Sequence, residues 1–253
     1  MKISIILEKL SKTKYIGFIF WIIVWQALSV EINQEILLVS PFSAIKRLSE
    51  LIFEQQFWIA ITNSSFRIIL GFLLSLITGV VLAMLSTSYK VIEAIIKPMM
   101  DMIKSVPVVS FIILCLIWVS TKYLSTLISF LMVLPVIYDN CHTGIKGIPK
   151  EMLEMVNVFK VDKLRQVRYL YASEAMKYLK AGCNISLGLC WKSGVAAEVI
   201  GIPKGTIGEN LYNAKIYLSS ADLFAWTMTI VVISILFRRL FMYLLEVVEN
   251  RLK

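Results

Sequence analysis

Charge is scarce in this 253-residue sequence: Asp, Glu, Lys and Arg make up 17% of it, against 58% hydrophobic residues. With a mean hydropathy of +0.77, it carries more apolar side chains than a globular surface can hide, so lipid must cover some of them. Cysteine is rare too. Cys115, Cys183 and Cys190 lie inside apolar runs and Cys141 just beyond one, with no C-x-x-C spacing, which excludes a disulfide framework and a zinc site. The single histidine, His142, leaves Ser-His catalysis and metal clusters almost nothing to work with. Neither G-x-x-x-x-G-K-[ST] nor G-x-G-x-x-G occurs, so the chain has no phosphate-cradling loop and no cofactor of its own is expected. The net charge of +9 comes without a basic stripe interleaved with exposed aromatics, so a nucleic-acid partner is not indicated. Internal repeats, low-complexity segments and a soluble second domain are also missing.

What is present is a series of apolar runs: Tyr15 to Val30, Phe66 to Leu85, Val106 to Ser120, Tyr123 to Tyr138, Ala181 to Ile200 and Leu223 to Phe237. They predict an all-α membrane protein with about six transmembrane helices. Several runs are shorter than the roughly 20 residues of a perpendicular span, so flanking turns must extend into the interface. The first run follows Lys2, Lys9, Lys12 and Lys14 as a signal peptide would, but "SVEINQEIL" after it has no small-x-small cleavage site, and it reads as a retained helix. With the amino terminus in the cytoplasm, Lys and Arg collect inside: at the terminus, within 86–104, within 139–180 and after 237. Only Lys46, Arg47, Lys122, Lys204 and Lys215 fall outside. Both termini are therefore expected in the cytoplasm. The fifth run is the weak one, interrupted by Asn184, Lys192 and Glu198; if it did not cross, the tail would lie outside, at only a small cost to the charge bias.

Two further stretches are amphipathic. "SPFSAIKRLSELIFEQQFW" sets Phe42, Ile45, Leu48 and Ile52 against Lys46, Arg47, Glu50 and Glu54, as in a helix lying along the outer surface. In "PKEMLEMVNVFK", Met152, Met155, Val156 and Phe159 recur at i, i+3, i+4 and i+7, which gathers them on one face of a short helix. Pro149 suits its start, and Glu151 and Glu154 sit in its first turn, where the helix dipole favours them. This helix lies in water beyond the fourth run, yet presents a compact apolar face, which either docks a partner or packs on the protein itself. A second helical run, Lys163 to Lys180, leads from it into the fifth span.

Inside that span, Lys192 and Glu198 each carry an insertion cost of about 2.5 to 3.5 kcal/mol, so both should face protein or water. Six residues of helix set them about 120° and about 9 Å apart, so each needs another partner. Gly182, Ser186, Gly188, Ser193 and Gly194 give the same span small faces for close helix packing.

The combination resembles the membrane-spanning permease subunits of bacterial ABC importers, of the nitrate, sulfonate and taurine type. That family's cytoplasmic loop reads Glu-Ala-Ala, three residues, Gly, then Ile-x-Leu-Pro. Here Glu154, Met155, Val156 and Lys160 occupy the first positions and Tyr171, Ala172 and Ser173 the last, so only the glutamate is kept. "SPFSAIKRLSEL" resembles the family's segment ahead of the second span, "NSSFRIILGF" its Ser-x-x-Arg-x-x-x-Gly-Phe opening, and "SVPVVSFIILCLIW" its third span. "AGCNISLGLCWKSGVAAEVIG" is similar to its Gly-Leu-x-Trp and Ala-Glu pattern through Gly188, Leu189, Trp191, Ala197 and Glu198. Ile113 and Val119-Ser120 depart from a second proline and a Phe-Gly. The likeness covers about residues 38 to 246.

The resemblance implies a type I ABC importer permease fold: a tail, first span and external helix over 1–55, the transmembrane domain over 56–246, and a cytoplasmic tail over 247–253. It implies a non-enzymatic subunit of the bacterial plasma membrane that moves a small, anionic solute. The 150–163 loop helix, through Glu154, Met155, Val158, Phe159 and Lys160, would seat in a separate ATPase subunit. An extracytoplasmic substrate-binding protein and a second permease copy would complete the assembly, with Lys192, Glu198 and Trp191 at the translocation pathway. The competing readings are a self-contained secondary transporter or channel, and a membrane enzyme, for which no intramembrane nucleophile, base or metal-ligand cluster is visible.

Overall fold

The computed structural model describes residues 2–162 and 165–252, the side chains of 2–15, 18, 157, 167–169, 173 and 251–252 excepted. Among the described residues the secondary structure is helical throughout. The order is α1 (Lys2–Ile32), α2 (Pro41–Leu51), α3 (Gln55–Ser88), α4 (Lys90–Ser105), α5 (Val108–Trp118), α6 (Thr121–Lys146) and α7 (Lys150–Val158). A short π-helix, Gln166–Tyr171, then runs directly into α8 (Ala172–Gly201), followed by α9 (Ile207–Ile216) and α10 (Ser220–Leu252).

By length and composition α3, α6 and α10 each suffice to cross a membrane. The expected third span, Val106 to Ser120, is not a straight crossing helix. Its helical part is the 11-residue α5, about 16 Å long, joined to the amphipathic α4 at a bend of 108°. The cause is local: Val106 precedes Pro107, the proline ring disfavours helical geometry there, and Val106 is extended at φ −83°, ψ 131°. Taken together, α4 and α5 form one broken span or a re-entrant pair. The 30-residue α8 is long enough to cross, but Asn184, Lys192 and Glu198 dilute its apolar character. In α1 the described apolar helix is Ile19–Ile32.

The contacts divide the chain into two compact units, Met1–Trp58 with Asn210–Thr229, and Ile59–Glu209 with Ile230–Lys253. In the first, the Trp25 indole N–H donates to the Val39 carbonyl at 2.9 Å, and Ser40 caps α2 by accepting from the Ser43 amide, with Pro41 at the first helical position. Pro41, Ala44 and Leu51 turn inward, whereas Phe42, Ile45 and Ile52 stay exposed, as an interfacial helix requires of its lipid-facing side. Arg47 holds Asp222 at 2.5 Å and Glu50 at 3.1 Å.

The second unit is built around α6 and α8. Ile112, Cys115, Leu124, Ile128, Met132 and Ala197 form its buried centre, and α3 lies against α6 close enough that a Cβ on Gly71 would strike the Thr126 carbonyl. On α8, a Cβ at Gly194 would lie 2.5 Å from Ser129 Oγ and 2.6 Å from Ile68 Cγ1, so Gly194 marks where three helices meet; Gly188, two turns back, has nothing within 4 Å. Overpacking of a tight contact costs about 1–3 kcal/mol. Gly194→Val should therefore lower the thermal unfolding midpoint of the detergent-purified chain, while Gly188→Ala leaves it unchanged; equal midpoints for Gly194→Val and the parent would contradict the three-helix junction.

Candidate functional site

Two regions carry polar or exposed groups that the fold alone does not explain. The first is α7. Pro149 accepts from the Met152 and Leu153 amides at its start, and Glu151 sits in its first turn. At its other end the Phe159 amide donates to the Met155 carbonyl at 3.0 Å and the Val161 amide to the Val156 carbonyl at 3.1 Å. Between them Lys160 takes φ +49°. The six-to-one bond around a left-handed residue is the Schellman arrangement, which satisfies otherwise orphaned carbonyls. Lys160 thus adopts the backbone that glycine would favour.

Of the expected apolar face, Val156 turns into the protein at 8% exposure, while Val158 joins the outer ridge; Met152, Met155, Val158 and Phe159 are exposed by 42%, 53%, 76% and 74%. Glu154 and Lys160 are exposed beside them. Four large apolar side chains on nine helical residues and their cap form an exposed apolar ridge. Beyond the turn, Gln166 donates through its amide to the Asp162 carbonyl at 2.9 Å and through Nε2 to the Val161 carbonyl at 2.8 Å, and from it the helix runs unbroken to Gly201. The start of the expected second run, Lys163 and Leu164, lies outside the described residues.

The second region is the outer part of α8. Glu198 has no exposure at all. Its Oε2 accepts from the Ser64 hydroxyl on α3 at 2.6 Å and from the Gly208 amide at 3.3 Å, and the same Ser64 oxygen accepts from the Ile207 amide at 2.9 Å. Two orphan amides at the start of α9 are thereby satisfied. Arg67, one turn beyond Ser64, supplies an opposite charge to the carboxylate. Ser125 stands nearby, yet its hydroxyl and Glu198 Oε1 make no hydrogen bond of ordinary geometry. Gly208 is needed because a Cβ there would collide with Glu198 itself. The same turn is fastened by Asn63 Nδ2, which donates to the Gly205 carbonyl at 2.9 Å. Thr206 caps the helix by accepting the Glu209 amide at Oγ1, and Glu209 Oε2 accepts from the Gly205 amide one residue ahead of the cap.

The three residues read together as pathway-lining are not brought together. Trp191 is 1% exposed and packs edge-on against Phe237 at 6.5 Å between ring centres. Glu198 is the anchor just described. Lys192 alone is exposed, on the open side of α8 with Asn184, Ile185 and the half-buried Gly188. Sequence reasoning missed Ser64, Arg67 and Gly208 as the partners of Glu198. The clue to the first two was their spacing of three at the entry to an apolar run, with Arg67 inside it; nothing local pointed to Gly208.

Removing one partner of a buried hydrogen-bonded pair leaves the other unsatisfied, at about 1–3 kcal/mol. Ser64→Ala and Glu198→Ala should each destabilise the unit, and the double variant should fall short of their sum by about 0.5–3 kcal/mol. Denaturant unfolding of the four proteins in the same detergent measures that coupling; strict additivity would show that the contact has no energetic content.

Comparison with known proteins places these features. Residues 71–253 match the family model for the binding-protein-dependent transport system inner membrane component. A protein of Bacillus subtilis strain 168 named as an aliphatic sulfonates transport permease is 26% identical over 207 residues, covering 81% of this chain and 74% of the relative. The nitrate import permease of Synechococcus elongatus is 25% identical over 58% of this chain and 53% of its own length. The taurine transport system permease of Escherichia coli K12 is 20% identical over 84% and 79%. With nearly three quarters of its length inside the family model, including α7 and α8, the chain belongs to the binding-protein-dependent inner-membrane components, the multi-pass permease subunits of ABC importers.

Proposed function

We propose that this permease forms half of the translocation pathway for a small oxyanion or sulfonated solute, and that it is driven by a separate ATPase subunit seated on α7. The observation that carries this reading is the ridge of Met152, Met155, Val158 and Phe159, apolar, exposed and unpartnered, at the foot of the connection into α8. Glu154 and Lys160 flank the ridge as polar contacts that would fix its register in a groove. An amphipathic helix laid into an apolar groove is an established mode of recognition. ATP is then bound and hydrolysed by that partner, consistent with the lack of phosphate-cradling motifs here.

The solute class is supported by the relatives, whose names specify aliphatic sulfonates, nitrate and taurine, and by Lys192. This exposed cation on a helix otherwise lined with Ala181, Ile185 and Gly188 has no reason to face lipid. A second permease copy placed against the open side of α8 would put two lysines across one pathway. The extracytoplasmic binding protein would deliver solute on the side of α2 and α9, with both termini in the cytoplasm. Within this reading the external helix and tail flank a transmembrane domain over 56–246.

Phe159→Asp should weaken ATPase association by about thirtyfold or more, the scale of an interface hot spot, and abolish solute-stimulated ATP turnover in proteoliposomes while the permease remains folded. Retained coupling in that variant would refute α7 as the docking element. Lys192→Met should lower uptake of the anionic solute without changing expression or basal ATP hydrolysis; unchanged uptake would remove the lysine from the pathway.

A further inference from the structure

Lys104, Lys146, Lys177 and Lys180 each have a carboxylate within 2.8 Å. Other described basic residues, among them Lys90, Lys97 and Lys150, have no ion pair, and Arg238 and Arg239 belong with these but stand side by side. They follow directly on the last apolar run, are exposed, and have no ion pair or hydrogen bond among the described residues. With Asn184 of α8 and Met242, Tyr243 and Glu246 of α10 they line a cavity of about 340 Å³. Two guanidinium groups, an amide and a phenol share this lining with a single carboxylate, Glu246, which Lys180 approaches at 3.9 Å. The lining is therefore cationic and rich in donors to oxygen.

The surroundings of the cavity decide between a free anion and a tethered one. Only 11% of the apolar window of α10 is buried, against 61% for α6, so α10 meets lipid over most of its circumference. Val232, Ile235 and Leu236 are exposed by 50% or nearly so, and they precede Arg239 by seven, four and three residues. They therefore form an apolar strip on the same helical side, running from the cavity toward the membrane centre. A free anion has no use for such a strip; a phospholipid uses both parts. Guanidinium pairs suit phosphate through bidentate hydrogen bonds, and basic pockets between transmembrane helices at headgroup depth favour anionic lipids.

We propose that the cavity between α8 and α10 binds the headgroup of an anionic phospholipid at Arg238 and Arg239, with its acyl chains along Val232, Ile235 and Leu236. The proposal needs α10 to cross the membrane and the cavity beside Asn184 to stay clear of the second permease copy, and it stands apart from the coupling role of α7.

The test places the full-length chain in nanodiscs of phosphatidylcholine alone or mixed equally with phosphatidylglycerol, then counts retained lipid by native mass spectrometry. The parent should keep phosphatidylglycerol selectively, and R238Q/R239Q should lose that retention by about tenfold or more. Glu246→Gln, which removes the competing carboxylate, should raise it, a gain that no misfolded variant would show. Equal retention by the parent and R238Q/R239Q would overturn the site. So would displacement of the lipid by inorganic phosphate at modest concentration, which would identify a free-anion pocket. The absence of any phosphatidylglycerol preference in the parent, as when a second copy covers the cavity, would overturn it as well.

Discussion

A carboxylate sealed inside an apolar bundle must be answered by its own protein, because no water is at hand to do so. Glu198 imposes that condition on everything around it. Its oxygen is met by a hydroxyl from α3 and an amide from α9, so three separate helices are held at one point. Desolvation makes the arrangement stringent: a shift of an ångström would leave the charge and the two amides unpaired together. The glycine at 208 follows from the same condition, since any side chain there would push the amide out of reach. Ser64 and Arg67 meet the same condition from α3.

The packing of α3, α6 and α8 obeys a related rule. In lipid the burial of one apolar surface on another gains little, so helices associate through close contact and interhelical hydrogen bonds. Small residues bring the backbones together, and the hydroxyls they leave room for then reach across. Ser129 Oγ donates to the Cys190 carbonyl at 3.2 Å, Ser75 Oγ to the Phe130 carbonyl at 3.0 Å, and Thr126 Oγ1 to the Arg67 carbonyl at 3.1 Å. Each uses a carbonyl already engaged in its own helix, whose second lone pair is free. The rigid three-helix frame that results lets α8 present one closed side to the protein and one open side, with Lys192, outward.

Hydropathy made the long spans α3, α6 and α10 legible, and periodicity located α2 and α7, because both patterns are properties of contiguous residues. The bend between α4 and α5 was written in the sequence as well, in Val106-Pro107, but a hydropathy average does not register backbone geometry. Val156 and Val158 exchanged roles because the side of α7 that packs inward is set by its fit to the rest of the protein, not by its own period. The partners of Glu198 lie 134 positions earlier and 10 later; no local pattern encodes such a meeting. The need for a partner was legible, and its identity was not.

The loop after α7 shows what a family motif encodes physically. Where the related permeases place glycine, this chain has Lys160, and the backbone still turns left-handed at φ +49°. A residue with a Cβ pays about 1–2 kcal/mol for that conformation, offset here by the Val161-to-Val156 hydrogen bond that the turn permits. The turn thus forms here without the residue that makes it easiest. Lysine also has fewer backbone states than glycine, so the joint it forms is stiffer. The π-helical turn at 166–171 then continues without a break into α8.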